Sequence, residues 1–202
     1  QYTILTNANL YDADLTNANP GNSDLTNADL SYANLTNANL YDADLTEANL
    51  RNADLIDTFL RNADCTDANF YEANLTIADL DEAELTEADL QFAILTNANL
   101  VHTNLRNTNF RGADLTGADF KNANLINADL SSANLTNADF GCNFVGCTDL
   151  ANADLGNADL TNTDLYNANL INANLGNADL TNADLQYTDL TDAYLGSADL
   201  TN

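Results

Sequence analysis

Basic side chains are nearly missing from the chain: five Lys and Arg stand against 31 Asp and Glu over 202 residues, a formal net charge of -26. Binding to phosphate backbones needs a basic footprint, so direct nucleic-acid binding is excluded as a leading reading. Histidine is reduced to His102, and no Gly-rich phosphate loop or paired nucleophile and base is present. Acid–base chemistry needs a tuned group in a cleft with an oriented partner. No catalytic, cofactor-binding or metal-ligating residue is therefore assigned, and the chain is read as no enzyme. No apolar run is long enough to span a bilayer, and no signal peptide is visible. Expectation is thus a soluble chain without a membrane partner. It opens on Gln1 rather than Met, consistent with a removed leader, which leaves cytoplasmic, periplasmic, luminal and secreted locations open.

Cysteine is also scarce. Cys65, Cys142 and Cys147 are odd in number and irregular in spacing, which does not describe a disulfide framework. Cys142 and Cys147 lack the second pair of ligands that a zinc site would need. Cys65 is read as a small buried hydrophobe.

Leucine, in contrast, recurs every fifth residue. Positions divisible by five number 40, and 33 of them are Leu. The exceptions are Pro20, Cys65, Phe70, Phe110, Phe120, Phe140 and Val145. Two places earlier Ala stands in 31 of 40 repeats, and Asp or Asn usually lies between. High acidity with few aromatics can signal disorder, but so regular an apolar pattern argues against it. Neither the 3.6-residue period of a helix nor a sustained period of two fits. Ala, Asp/Asn, Leu reads in–out–in, a very short strand, and the two polar residues that follow must turn the chain. The second is Asn in about half the repeats, as at Asn7, Asn17 and Asn27, and Asn tolerates the positive φ of a tight turn. Thr follows the centre at every second repeat from Thr6 to Thr46 and again from Thr66 to Thr96, and that overtone stays in register only with an even number of sides. Four sides to a coil, each one pentapeptide, is the simplest closure.

Ala13-Asp14-Leu15-Thr16-Asn17 and its successors resemble the pentapeptide repeat family over essentially the whole chain. The resemblance implies an all-β fold, a right-handed quadrilateral parallel β-helix (a β-solenoid) of about ten coils of four pentapeptides, with residues 1–202 as a single domain. By that resemblance Leu15 is the inward central residue and Ala13 the small inward one. The family often has Gly where this chain has Asn17 or Asn27, while Gly112 and Gly117 keep it.

The pattern breaks at Pro20-Gly21, where a bulge or widened corner is expected, and over Gly141–Cys147, where Asn143 takes an inward position and Phe144 an outward one. The plainer reading of that stretch has Asn143 bonded to backbone and Val145 closing the core. Tyr11 and Tyr71 fall on one face, with Tyr41 and Tyr166 on others, a scatter rather than a platform. Arg51 and Arg111 share one face and Arg61 and Lys121 the opposite one, expected to form surface ion pairs. Asp81, Glu82, Glu84, Glu87 and Asp89 should splay around one coil rather than converge on a cation. Of the 31 acids, 21 precede a centre, and an unbroken run of four-sided coils spreads them 6, 5, 4 and 6 over the four sides.

Functional expectation is a rigid acidic scaffold for a protein with a basic surface. The alternatives are mimicry of DNA towards gyrase or another type II topoisomerase, known for some pentapeptide repeat proteins, and a secreted or luminal structural rod. Without visible caps, end-to-end or dimeric self-association is a further expected contact.

Overall fold

The computed structural model describes residues 3–142 and 147–201. Its architecture follows from where the five backbone donors of each repeat go, taking residues 24–28 as the example. Asp24 N–H donates to Thr3 O in the coil before (2.9 Å) and Leu25 N–H to Asp44 O in the coil after (2.7 Å). Thr26 N–H is taken by the carboxylate of Asp24 (3.0 Å). Asn27 N–H donates onward to Thr46 O and Ala28 N–H turns back to Leu25 O, both at 2.9 Å. All five donors are thus satisfied without a long strand, as buried or crowded backbone requires. This also explains why Asp or Asn dominates the outward position: its side chain accepts the one N–H that neither ladder nor turn can use.

Parallel bridges join the outward residues into four ladders, one for each side. We call the side carrying Asp24, Asp44 and Asp64 the first, that of Asp29, Asn49 and Asn69 the second, that of Asn34, Asp54 and Asn74 the third, and that of Asn39, Phe59 and Asp79 the fourth. Leu25 to Leu180 at the centres are buried, as are Cys65 and the four phenylalanines Phe70, Phe110, Phe120 and Phe140. Ala at the inward position lies against them, so the interior is filled by side chains. Where Thr replaces Ala, its hydroxyl finds a carbonyl in the coil before: Thr58 on Leu35 O (2.8 Å), Thr103 on Leu80 O (3.0 Å) and Thr108 on Leu85 O (2.8 Å).

The second corner residue of each repeat from Asn7 to Asn137, and again from Asn152 to Ser197, has positive φ, between 54° and 62° wherever it is not glycine. That is the requirement of a type II turn at its third residue. Asn fits it; a β-branched side chain does not. Ile77, at φ 54° and 46 % exposed, is therefore the most mismatched corner. Replacing Ile77 with Asn should raise stability by about 1 kcal/mol, read as a shift in the urea midpoint. A lower midpoint would contradict the steric argument.

Two expectations need correction. Pro20 produces no bulge. It removes one donor, and the Asn19–Asn39 bridge is missing from the fourth ladder, yet Asn39 N–H still reaches Ala18 O at 2.9 Å. The bridges on either side, Asp14–Asn34 and Asp24–Asp44, keep the step of four pentapeptides. The second correction concerns register. Bridges step by four pentapeptides up to Asp119–Asp139 and again from Asp149–Asn169. The four between them, Asn124–Asp149, Asp129–Asp154, Asn134–Asp159 and Asp139–Asp164, step by five. The inward threonines repeat the jump. Thr148 bonds Phe120 O and Thr163 bonds Leu135 O, one pentapeptide further back than Thr58 or Thr103 reaches, while Thr188 returns to the regular offset with Leu165 O. One coil therefore contains an extra pentapeptide. A whole repeat leaves the Leu and Ala phase intact, which is why the pattern conceals the event. The readings made for Asn143, Phe144 and Val145 lie outside the described residues.

Candidate functional site

The register jump reassigns everything beyond Phe140. Tyr166 moves onto the corner of Tyr41, after the fourth side, and the acids regroup. Over the first to fourth sides the outward acids number 6, 4, 6 and 5, so the charge still surrounds the rod. Its local order is uneven, however. Asp24, Asp44, Asp64 and Glu84 are directly bridged in successive coils on the first side. Asp119, Asp139, Asp164 and Asp184 form a second run on the fourth side, and Asp159, Asp179 and Asp199 a third on the third side. Elsewhere, the bridged pair Asp129 and Asp154 apart, several Asp are followed by an Asn that donates its amide to the carboxylate of the coil before, as Asn49 to Asp29 (3.0 Å), Asn99 to Asp79 (2.8 Å) and Asn174 to Asp154 (2.8 Å). The runs lack this relief, so like charges stand about 4.8 Å apart.

Local hydrogen bonds lower the pKa of several outward carboxylates. The Thr26 hydroxyl, then its N–H, then the Thr6 hydroxyl hold the Asp24 carboxyl below its ordinary range. Thr181 and Thr191 act likewise on Asp179 and Asp189, again hydroxyl first and N–H second. Lys121 bridges Asp119 and Asp139 in the fourth-side run. Its burial opposes the charge, but the two carboxylates outweigh burial and raise its pKa.

A second contact rule operates at the corners. A first corner residue meets the second corner residue of the next coil. Tyr11 meets Tyr32 (ring centroids 5.6 Å apart), Tyr71 meets Phe92 (5.7 Å) and Tyr166 meets Tyr187 (5.4 Å). Six corner aromatics are therefore paired, at an offset that counting in whole coils misses, whereas no aromatic contact among the described residues involves Tyr41. Arg51 lies over the Tyr71 ring at 4.2 Å and only 4.0 Å from Glu72. Gly112 leaves room for Phe92, since a Cβ there would come within 2.7 Å of that ring.

The acidic stretch 81–89 points outward, as expected, but Asp81 is shared. Arg61 holds one of its oxygens at 2.6 Å and His102 Nδ1 lies 3.2 Å from the other. Ligand atoms of Asp81, Glu82 and His102 fall within 4.8 Å of one another, while Asn122 Nδ2 stands 3.2 Å from His102 Nε2. With Arg61 on Asp81 and both ring nitrogens in hydrogen-bond contact, this cluster reads as an ion-pair network. Arg61 and Lys121 lie along one corner and Arg51 and Arg111 along the opposite one, as the spacing required.

Cys65 is fully buried at a centre, and burial first, then Asp64 and Asp44, push its thiol pKa far up. Cys142 and Cys147 depart from expectation: they form a disulfide, with Cα atoms 4.6 Å apart. The enlarged coil is the cause, because it places both residues at the corner between Asn122 and Asn167.

Among the described residues no helix is long and apolar enough to cross a membrane. A sequence comparison with curated proteins finds no match. Among solved structures the chain is similar to HetL, a pentapeptide repeat protein involved in heterocyst differentiation regulation in the cyanobacterium Nostoc sp. strain PCC 7120. That match has 36% identity and a TM-score of 0.80, covering 98% of this chain and 85% of HetL. It also shares its fold with QnrB1, a plasmid-mediated fluoroquinolone resistance protein, at 19% identity and a TM-score of 0.55, over 96% of this chain and 90% of that one. Eight copies of the pentapeptide-repeats family model match residues 3–42, 23–62, 63–100, 83–122, 103–141, 113–165, 141–181 and 163–202. On these matches the chain belongs to the pentapeptide repeat family and is a right-handed β-helix.

Proposed function

We propose that residues 1–202 act as one non-enzymatic, rigid acidic scaffold that docks a protein with a basic surface. The directly bridged carboxylate runs on the first and fourth sides carry this reading. A ladder fixes their spacing, so a partner presenting Lys or Arg at a matching pitch meets pre-ordered charges and loses little entropy in the protein it binds. An interior filled by Leu, Phe and Ala supports a surface role over a cleft-based one. Likeness to HetL adds a regulatory relative that fits binding without catalysis.

The test is capture of partners from the native host by the wild type and by two variants, Asp44→Asn/Asp64→Asn and Asp139→Asn/Asp164→Asn. The reading expects a protein whose salt-sensitive retention falls at least tenfold with one pair and not with the other. Retention indifferent to both pairs and to salt would overturn it.

Total charge gives DNA mimicry its place as second reading. The first ladder has ten rungs, which at about 4.8 Å each make a rod of roughly 48 Å; duplex DNA carries one charge per roughly 1.7 Å, so that length of duplex would carry a charge close to the 26 found here. Outward acids on all four sides count against a dedicated docking face. Weak, salt-sensitive binding to gyrase is the most expected in a supercoiling assay. Potent inhibition near physiological salt would put mimicry first.

A further inference from the structure

We propose that Cys142 and Cys147 form a reversible thiol–disulfide exchange site, open to small disulfides of the glutathione type, at the point where the coil register jumps. The pair is held together by the rod and not by the sulfur bond alone. Cys142 N–H donates to Tyr166 O in the next coil (3.2 Å). Directly after Cys147, the Thr148 hydroxyl bonds Phe120 O (2.9 Å) and Asp149 N–H bonds Ala123 O (3.0 Å). These bonds survive reduction, so the two Cα atoms stay near their 4.6 Å separation, within the range a disulfide accepts.

Three further observations suit exchange. Cys147 is exposed and Cys142 half-buried, so a soluble thiol or disulfide can reach the pair, whereas Cys65 is sealed in the core. Stabilisation by a disulfide grows with the length of chain it closes, and this one closes a separation of only five residues. The rod is therefore expected to remain folded in both states. Finally, Asn167 Nδ2 lies 2.8 Å from Cys142 Sγ and 3.0 Å from Cys147 Sγ. An N–H directed at sulfur favours the thiolate, which is both the attacking and the leaving form. Asn167 is thus a positioning residue for the pair.

The chemistry balances with a disulfide RS–SR as oxidant. The exposed Cys147 thiolate attacks one sulfur of RS–SR, forming a mixed disulfide and releasing RS⁻. The Cys142 thiolate then attacks the Cys147 sulfur, closing the intramolecular bond and releasing the second RS⁻. The cysteine pair gives up two electrons, and its two protons go to the two RS⁻ groups. Two equivalents of thiol reverse the sequence.

The experiment equilibrates the full chain in glutathione/glutathione disulfide buffers, quenches with an alkylating reagent and counts labels by mass spectrometry. Under reducing conditions two labels are expected, at Cys142 and Cys147, with Cys65 labelled only after denaturation. Under oxidising conditions both labels should vanish, with a loss of two mass units and a melting temperature changed by no more than a few degrees. Persistence of two labels in glutathione disulfide, accumulation of unresolved glutathione adducts, or resistance of the folded chain to reduction would each overturn the proposal. For Asn167→Ala, the pH midpoint of alkylation should move upward by at least half a unit with an unchanged circular dichroism spectrum. An unmoved pH profile would remove Asn167 from the site.

Discussion

Replacing Leu100 with Asp is expected to destabilise the rod by about 4 kcal/mol or more. Leu100 is fully buried at a centre of the fourth side, with its backbone N–H committed to Asp119 O at 2.8 Å. A carboxylate at that point finds apolar side chains and no free donor, so it must be buried charged or take up a proton, and a void remains beside it. In a solenoid each coil is stabilised by its neighbours, and the lesion should also uncouple the two halves. Urea denaturation is expected to show a much lower midpoint and a broadened or split transition. Asn39→Asp is the matched control. Asn39 points outward, its oxygen accepts the Tyr41 N–H at 3.0 Å, and a carboxylate can do the same. Its ladder neighbours carry no charge, so the change should stay within about 0.5 kcal/mol. Comparable losses for the two variants would refute the inward and outward assignment.

Phe120→Ala should cost about 3–5 kcal/mol. Its ring stacks on Phe140 at 4.6 Å and 3°, and meets Phe110 edge-on at 6.3 Å and 87°. Removing it takes away both aromatic contacts and opens a void in the coils next to the register jump. Leu, the usual central residue, should fit the same place with a cost of about 1 kcal/mol. Chemical denaturation of the two variants separates these outcomes; equal losses would mean that the aromatic cluster adds nothing to the core.

How much of this was legible in the sequence depends on which period carries the information. Leu and Ala in most pentapeptides reveal the inward positions, and Asn at the second corner place reveals the turn, because each is a local steric demand. The hydroxyl-to-carbonyl bonds of Thr58, Thr103 and Thr108 rationalise departures from Ala that the sequence shows only as exceptions. Contacts from a first corner place to the second corner place one coil on, such as Tyr11 with Tyr32, follow from the geometry of a corner and become searchable once that offset is known. The extra pentapeptide before Thr148 was not legible, since an insertion of one whole repeat changes no phase. It is visible only through long-range partners such as Asn124 with Asp149. The cysteine pair was hidden for the same reason: Cys142 and Cys147 meet because that coil holds five pentapeptides instead of four.

Every placement of charge, aromatic ring and thiol beyond Phe140 rests on this register, so the decisive measurement is cross-coil disulfide trapping in a Cys142→Ser/Cys147→Ser background. Adjacent parallel strands bring bridged Cα atoms to about 4.8 Å, within disulfide reach. The pair Asn109→Cys/Asp129→Cys, with the regular step, serves as the reference, and the test pairs join Asn134→Cys to either Asp159→Cys or Asp154→Cys. The structure predicts rapid, near-complete crosslinking of the reference and of residue 134 with 159, and none of residue 134 with 154. Efficient crosslinking of 134 with 154 would show an unbroken run of four-pentapeptide coils and contradict the assignment of the C-terminal faces.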